Sequence, residues 1–168
     1  MFRQYSKHFF YIFLAVAAIS FVIYAKSDGK IGRTIKTSDE GCACHGDLDK
    51  KVTVVIEGPE TMNSGETAEF TVTITGGPLL NGGFNAAVSA GTLIAGEGTK
   101  LLKGELTHSE PKKPENGKLL FKFSYTAPDS AGDVTMFANG LSGNNNDNKS
   151  GDHWNYAANK TITVASAK

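Results

Sequence analysis

The chain has 168 residues, with equal numbers of basic and acidic side chains and 19 glycines. Three basic residues and no acidic residue precede Asp28, so the chain from residue 28 onward carries a net charge of −3. Without clustered Lys and Arg, this balance argues against a nucleic-acid-binding protein. Many glycines beside a modest aromatic content are typical of an all-β protein with many turns.

The N-terminal segment differs in character from the rest of the chain. A short basic stretch precedes an uncharged run of seventeen residues from Phe9 to Ala25. This length is at the lower edge of a membrane-spanning helix and slightly above the apolar core of a signal peptide. We therefore predict a single hydrophobic helix over residues 1–27, favouring an uncleaved membrane anchor over a signal peptide. Both interpretations predict export to the bacterial cell envelope, facing the periplasm or the exterior, with secretion if the leader is cleaved.

Residues 28–41 show no hydrophobic period and are rich in charged and small residues, and we interpret them as a linker. The remaining domain, residues 42–168, contains short apolar runs separated by turn signals. Two of these runs alternate apolar and polar residues, as a strand with one buried face does. Predicted strands lie within residues 51–58, 67–75, 84–91, 100–108, 118–126, 133–140 and 156–165. This pattern predicts an all-β domain, an Ig-like Greek-key β-sandwich.

The segment Gly-Cys-Ala-Cys-His-Gly at residues 41–46 contains the strongest candidates for cofactor or metal ligands. Cys42 and Cys44 are the only cysteines of the chain, and His45 follows them directly. One more residue between the cysteines would give the C-x-x-C-H signature of c-type haem attachment. The flanking glycines give the backbone freedom that could absorb the shorter spacing. A strained Cys42–Cys44 disulfide and a metal site better suited to Cu(I) than to zinc are the two alternatives.

A haem iron or a metal ion needs a further ligand. His108 is the favoured candidate, because it lies where a predicted strand runs into a Pro-rich loop, a rigid edge of the sandwich. His153 follows an Asn-rich loop, and Met62 falls in a predicted turn; both are secondary candidates. Met136 alternates with apolar neighbours, and we predict that it belongs to the core.

The Asn-rich segment over residues 142–153 offers oxygen ligands for Ca²⁺ at Asn144, Asn146, Asp147 and Asp152. It lacks the Gly and Glu positions of an EF-hand loop, so a solvated loop is the favoured interpretation and calcium is not expected. The sequence contains neither a G-x-S-x-G nor an H-E-x-x-H motif. We therefore expect no enzymatic activity.

An ordered set of segments carries a resemblance to a known family: GRT, GCACHG, VTVVIEGP, NSGETAEFTVTIT, GGFNAAVSAGTLIAGEGTKL, LTHSEP, FSYTAPDSAGDVTMFANGLSGNNN and SGDHW. Over roughly residues 32–164 the chain resembles the choice-of-anchor V domain, a relative of the reelin-type (reeler) β-sandwiches. The resemblance implies an envelope or surface protein with a single haem, attached at Cys42 and Cys44 and ligated by His45 and His108. The variable anchoring of the family also fits an N-terminal membrane helix.

Two functional hypotheses follow. The first is a membrane-anchored β-sandwich that carries one c-type haem and exchanges electrons with a protein partner in the envelope. Two nitrogen ligands would leave no open position on the iron, which favours electron transfer over oxygen chemistry. The alternative is a non-catalytic binding or structural module, in which Cys42 and Cys44 form a disulfide or, with His45 and His108, a copper site.

Overall fold

The computed structural model describes residues 29–37 and 40–166. The helix predicted over residues 1–27 lies outside the described residues, and within them no helix is long and apolar enough to cross a membrane. The described ranges contain one turn of 3-10 helix, Ala43–His45. Their strands are β1 (Asp47–Leu48), β2 (Thr53–Glu57), β3 (Thr61–Asn63), β4 (Thr67–Thr75), β5 (Asn81–Val88), β6 (Thr92–Ile94), β7 (Thr99–Leu102), β8 (Glu105–His108), β9 (Leu119–Thr126), β10 (Gly132–Gly143), β11 (His153–Tyr156) and β12 (Lys160–Ala165).

The strands form two sheets packed face to face, as the sequence predicts. The larger sheet has the order β1-β11-β10-β5-β8-β7, and β12 also pairs with β10 and with β3. The smaller sheet has the order β2-β4-β9-β6. The long strand β10 is central to the larger sheet, because β5 pairs with one side of it while β12 and β11 share the other. The prediction of an all-β sandwich is confirmed.

The core lies between the two sheets and follows the predicted alternation. Alternate residues along β4 and β9 point inward, and all of them are buried except Ala68, which is partly buried: Phe70, Val72, Ile74, Leu119, Phe121, Phe123 and Tyr125. Phe84 of the larger sheet stacks on Phe121 of the smaller one, with ring centroids 4.4 Å apart. Burial of an aromatic side chain of this size stabilises a fold by about 1.5–3 kcal/mol. Met136 is fully buried in the same core, which confirms its predicted place.

Two predicted elements differ from the structure. The run over residues 100–108 is not one strand but a hairpin of β7 and β8, turned at Lys103 and Gly104 with φ values of 48° and 83°. Positive φ at both positions is the geometry of a two-residue hairpin turn. Met62 does not lie in a turn: it belongs to β3, is 3% exposed, and is paired with β12. As a core residue, Met62 is not a ligand candidate, and that prediction was wrong.

Within the predicted linker, the structure describes residues 29–37, Glu40 and Gly41. Residues 29–37 pack against the larger sheet, and we call them the strap. Buried Glu105 accepts hydrogen bonds from the Gly32 amide at 2.7 Å and the Thr37 hydroxyl at 2.9 Å. Asn85 accepts one from the Arg33 amide at 2.9 Å, and Asn139 donates to the Arg33 carbonyl. The strap is therefore an ordered part of the domain, held by polar side chains of three strands.

Candidate functional site

A groove of about 650 Å³ lies where β5 begins and β8 ends. Cys42, Cys44 and His45 line one part of it, and His108 lines another. Its size is within the range of small-molecule and cofactor sites. The structure thus brings together the four residues that the sequence selects as cofactor ligands.

The turn that carries the cysteines is docked through its two glycines. Gly41 has φ +51°, and a Cβ there would lie 2.1 Å from the ring of Trp154. Gly46 has φ +88°, and a Cβ there would lie 2.0 Å from the carbonyl oxygen of Asp152. The indole N–H of Trp154 donates to the Gly46 carbonyl at 3.1 Å. Both glycines are therefore required for close approach as well as for backbone conformation.

His45 is oriented by a carboxylate from the far end of the chain. Its Nδ1 lies 3.3 Å from Oδ2 of Asp152, while its side chain is 54% exposed. Asp152 is itself buried, and its Oδ1 accepts the Asn144 amide at 2.9 Å. With one carboxylate oxygen fixed by the backbone, the other is held in place to accept a hydrogen bond from the imidazole.

His108 is positioned by the backbone of β5. Its Nδ1 lies 3.2 Å from the Phe84 amide nitrogen and 3.3 Å from the Phe84 carbonyl oxygen, so either tautomer has a backbone partner. The ring lies directly on Gly83, where a Cβ would be 2.2 Å from Cε1. Gly29 of the strap also lies close to the ring, because a Cβ there would be 2.9 Å from Nδ1 of His108. Only a chain without side chains at these two positions leaves room for the imidazole.

The two cysteines are thiols in different environments. Cys42 is half-buried, whereas Cys44 is exposed. Burial raises the pKa of the Cys42 thiol from 9.0 to about 12, against the opposing effect of the Arg33 guanidinium, and Cys44 adds to the increase. Arg33 also lies 4.0 Å from the Cys44 sulfur through Nη2 and 3.2 Å from a Glu40 carboxylate oxygen through Nη1.

The rest of the groove combines an apolar surface with a charged rim. Leu141 and Pro111 line it together with the backbone of Gly82 and Gly83. Its charged residues are Lys30, Arg33 and Lys149 on the basic side and Asp147 and Asp152 on the acidic side. Such a lining suits a ligand with an apolar body and anionic groups that pair with the three cations.

Of the remaining candidates, some line the groove and others lie outside it. His153, at the start of β11, has its Nδ1 3.5 Å from Oδ2 of Asp49, the residue that follows β1, and it does not line the groove. Asn144 and Asn146 accept backbone amides within their own loop through their side-chain oxygens, at 3.2 and 3.1 Å. Asn146 and Asp147 also line the groove. Within residues 29–37 and 40–166, no three His, Cys, Asp or Glu side chains form a group that could hold a metal ion.

Several residues of the groove were not found by sequence reasoning. The strap residues Gly29, Lys30 and Arg33 fall in the segment interpreted as a linker. Gly83 carried a usable signal, since a glycine inside a strand often marks close approach by another group. The sequence offers Asp152 only as one oxygen donor of a loop where calcium is not expected; in the structure its Oδ2 lies 3.3 Å from Nδ1 of His45.

No protein-family model matches the chain, and no curated protein matches it in sequence. Among solved structures, the chain is similar to the CARDB domain, in complex with di-metal ions, of a protein from Pyrococcus furiosus. The identity is 20%, the match covers 70% of this chain and 94% of that one, and the TM-score is 0.41. It is also similar to the PKD domain of an M14-like peptidase from Thermoplasmatales archaeon SCGC AB-540-F20, at 14% identity over 67% of this chain and 92% of that one, with a TM-score of 0.35.

Proposed function

We propose that this protein is an exported β-sandwich that carries a single c-type haem in the groove and transfers electrons in the cell envelope. The observation that carries the proposal is the lining of one groove by Cys42, Cys44 and His45 from the docked turn and by His108 from β8. A thiol and an imidazole from one segment, with a second imidazole from elsewhere, are the donor set of a covalently attached haem with two axial histidines.

The surroundings of both histidines support this donor set. A histidine that binds a metal usually donates its other ring N–H to a carboxylate or a backbone carbonyl. His45 has the Asp152 carboxylate beside Nδ1, and His108 has the Phe84 carbonyl beside Nδ1. Iron would therefore bind each ring through Nε2, and the second contact would fix the plane of the ring.

The apolar and charged lining of the groove also fits a haem. Leu141, Pro111 and the glycine backbone would contact the apolar macrocycle and exclude water from it. Lys30, Arg33 and Lys149 are the cations that would pair with the two propionates. Haem supplies a one-electron redox couple when bound. His45 and His108 would hold the iron through one ring nitrogen each, and the groove residues would hold and orient the macrocycle; this donor set favours electron transfer.

The cellular setting is part of the same proposal. The apolar run from Phe9 to Ala25 would anchor the domain to the membrane, and an envelope redox protein would be the partner. The resemblance to choice-of-anchor V domains supports this setting.

The copper alternative needs donors that converge on one ion, and the described residues hold no such group of three His, Cys, Asp or Glu side chains.

The first test is the absorption spectrum of the protein purified from the membranes of its host, with a pyridine haemochrome assay. We expect a c-type α-band at one haem per chain and a low-spin Soret band. His45→Ala should abolish the low-spin spectrum, and the matched variant His153→Ala should leave it unchanged. A colourless protein two hydrogens lighter than its sequence would refute the proposal and favour the disulfide-bearing module, and stoichiometric Cu(I) uptake by a colourless protein would favour copper.

A further inference from the structure

We infer that the end of the sandwich that holds the groove lies against the lipid headgroups of the membrane. This inference rests on the proposed function, in which the run from Phe9 to Ala25 is the membrane anchor, and it specifies where the haem lies. It also narrows the proposed redox partner to a protein bound to the same membrane, because the headgroups would keep a freely diffusing carrier from the groove.

The strap joins the domain in the wall of the groove. Gly29 is buried and lines the groove. A Cβ at Gly29 would be 2.1 Å from Oγ1 of Thr107 and 2.9 Å from Nδ1 of His108. Further along the strap, the Arg33 amide donates to the Asn85 side chain and fixes the strap on the sheet. The chain that comes from the anchor therefore meets the domain beside the proposed iron ligand His108.

The chain between the anchor and the strap is short. The apolar run ends at Ala25, and Gly29 is four positions further along the chain. An extended chain covers at most about 3.6 Å per residue, so these four steps reach no more than about 14 Å. The headgroup layer on one side of a bilayer is itself about 5–8 Å thick. An anchor that ends at the edge of the hydrocarbon core would therefore hold Gly29 and the His108 ring in or just above the headgroups.

The opposite end of the sandwich is too far from the anchor to take this place. The longest strand, β10, runs from Gly132 to Gly143 and covers about 36 Å. The groove lies at the Gly143 end, because the Leu80 amide donates to the Gly143 carbonyl at 2.9 Å and the two residues after Leu80 line the groove. The loop before Gly132 is therefore remote from the membrane.

The surface of the groove end suits contact with lipid. Leu80 is an apolar side chain that is 59% exposed. Residues 26–37 together with the other charged residues of the groove lining, Lys149, Asp147 and Asp152, contain five basic and three acidic residues, a net charge of +2. The chain from residue 28 onward, in contrast, carries −3. Basic side chains attract anionic headgroups, and an exposed apolar side chain can enter the layer beneath them.

The test places a photo-crosslinking residue at each end of the domain in the full chain, expressed in its host. Leu80→p-benzoylphenylalanine places the probe beside the groove, and the matched variant Ser130→p-benzoylphenylalanine places it in the loop before β10. Both positions are exposed, so neither probe should disturb the core. After irradiation of the membranes, mass spectrometry of the probe-bearing peptides should show lipid adducts at residue 80 and none at residue 130. The intact mass of the protein should show that the anchor is retained.

Four results would overturn the inference. They are equal lipid adducts at both positions, lipid adducts at residue 130 alone, a protein adduct in place of lipid at residue 80, and an intact mass that shows a cleaved leader. The haem spectrum of the same preparations separates this inference from the proposed function. A low-spin c-type spectrum beside any of these four results leaves the haem proposal standing. A colourless protein with lipid adducts at residue 80 alone removes the haem and supports the placement of the domain.

Discussion

The docking of the cysteine turn onto Trp154 can be tested with one methyl group. In Gly41→Ala, the new Cβ would be placed 2.1 Å from Cζ3 and 2.3 Å from Cη2 of the indole, and the residue has φ +51°. No relaxed structure holds carbon atoms this close, so either the indole or the turn must move. Trp154 is the only tryptophan of the chain, and its fluorescence therefore reports directly on this contact.

The magnitude follows from two effects. A left-handed conformation costs a residue with a Cβ roughly 1–2 kcal/mol, and overpacking a well-packed contact costs about 1–3 kcal/mol. We expect Gly41→Ala to lower the free energy of unfolding by about 2–5 kcal/mol, the sum of both. The matched control is Gly98→Ala, because Gly98 has φ +70° and nothing within 4 Å of its Cβ position. The control should show the backbone cost alone.

The assay is urea unfolding of both variants, followed by far-UV circular dichroism and by tryptophan emission. If the turn is released without unfolding of the sandwich, Gly41→Ala can lower the free energy of unfolding only by the free energy with which the turn docks on Trp154. The tryptophan emission of the native variant then moves to longer wavelength. The reasoning is refuted if Gly41→Ala and Gly98→Ala have equal stability and the same native emission, since the indole would then not be packed on Gly41.

Three further predictions concern the histidines and the core. Gly83→Ala should displace the His108 ring, 2.2 Å from the new Cβ, and convert the spectrum of the proposed haem from low spin to high spin; an unchanged Soret band would exclude His108 as a ligand. Asp152→Asn replaces the carboxylate beside His45 with a neutral amide, so we expect a higher midpoint potential of the proposed haem in redox titration and a loss of about 1–2 kcal/mol in urea unfolding. Tyr125→Phe removes a partly buried hydrogen bond of 3.0 Å to a backbone carbonyl and should cost about 1 kcal/mol. Burial raises the pKa of Tyr125 above its ordinary value, so the contribution of the protonated hydroxyl to stability is present below that ordinary value and is lost as the pH rises through the raised pKa; above pH 10, Tyr125→Phe should lose stability less steeply than the wild type.

The sandwich could be predicted because its signal is local. Phe70, Val72 and Ile74 are buried on one face of β4, and a period of two is visible in any such stretch of sequence. The elements that were missed depend on other signals. Lys103 adopts a positive φ, and nothing about a lysine predicts that conformation. Met62 lies in β3, which pairs with β12 at the other end of the chain, and a local pattern does not show that pairing.

The site could be predicted only as far as its motif. Cys42, Cys44 and His45 lie within four consecutive residues, and this spacing indicates binding of a haem or a metal ion. The contacts that position them join distant parts of the chain: 107 residues separate His45 from Asp152, and 24 separate Phe84 from His108. No local pattern encodes such contacts, because they form only when the strands take their order in the sheet.

The strap has a practical consequence for anyone shortening this protein. A fragment that begins at the cysteine motif would contain every predicted strand and the two histidines of the groove, His45 and His108. From its sequence, it would look like a complete domain. It would nevertheless expose Glu105, Asn85 and Asn139, whose hydrogen-bonding partners in the strap would be gone. It would also lack the Gly29 wall of the groove, so ligand binding measured on that fragment would describe a different, more open cavity.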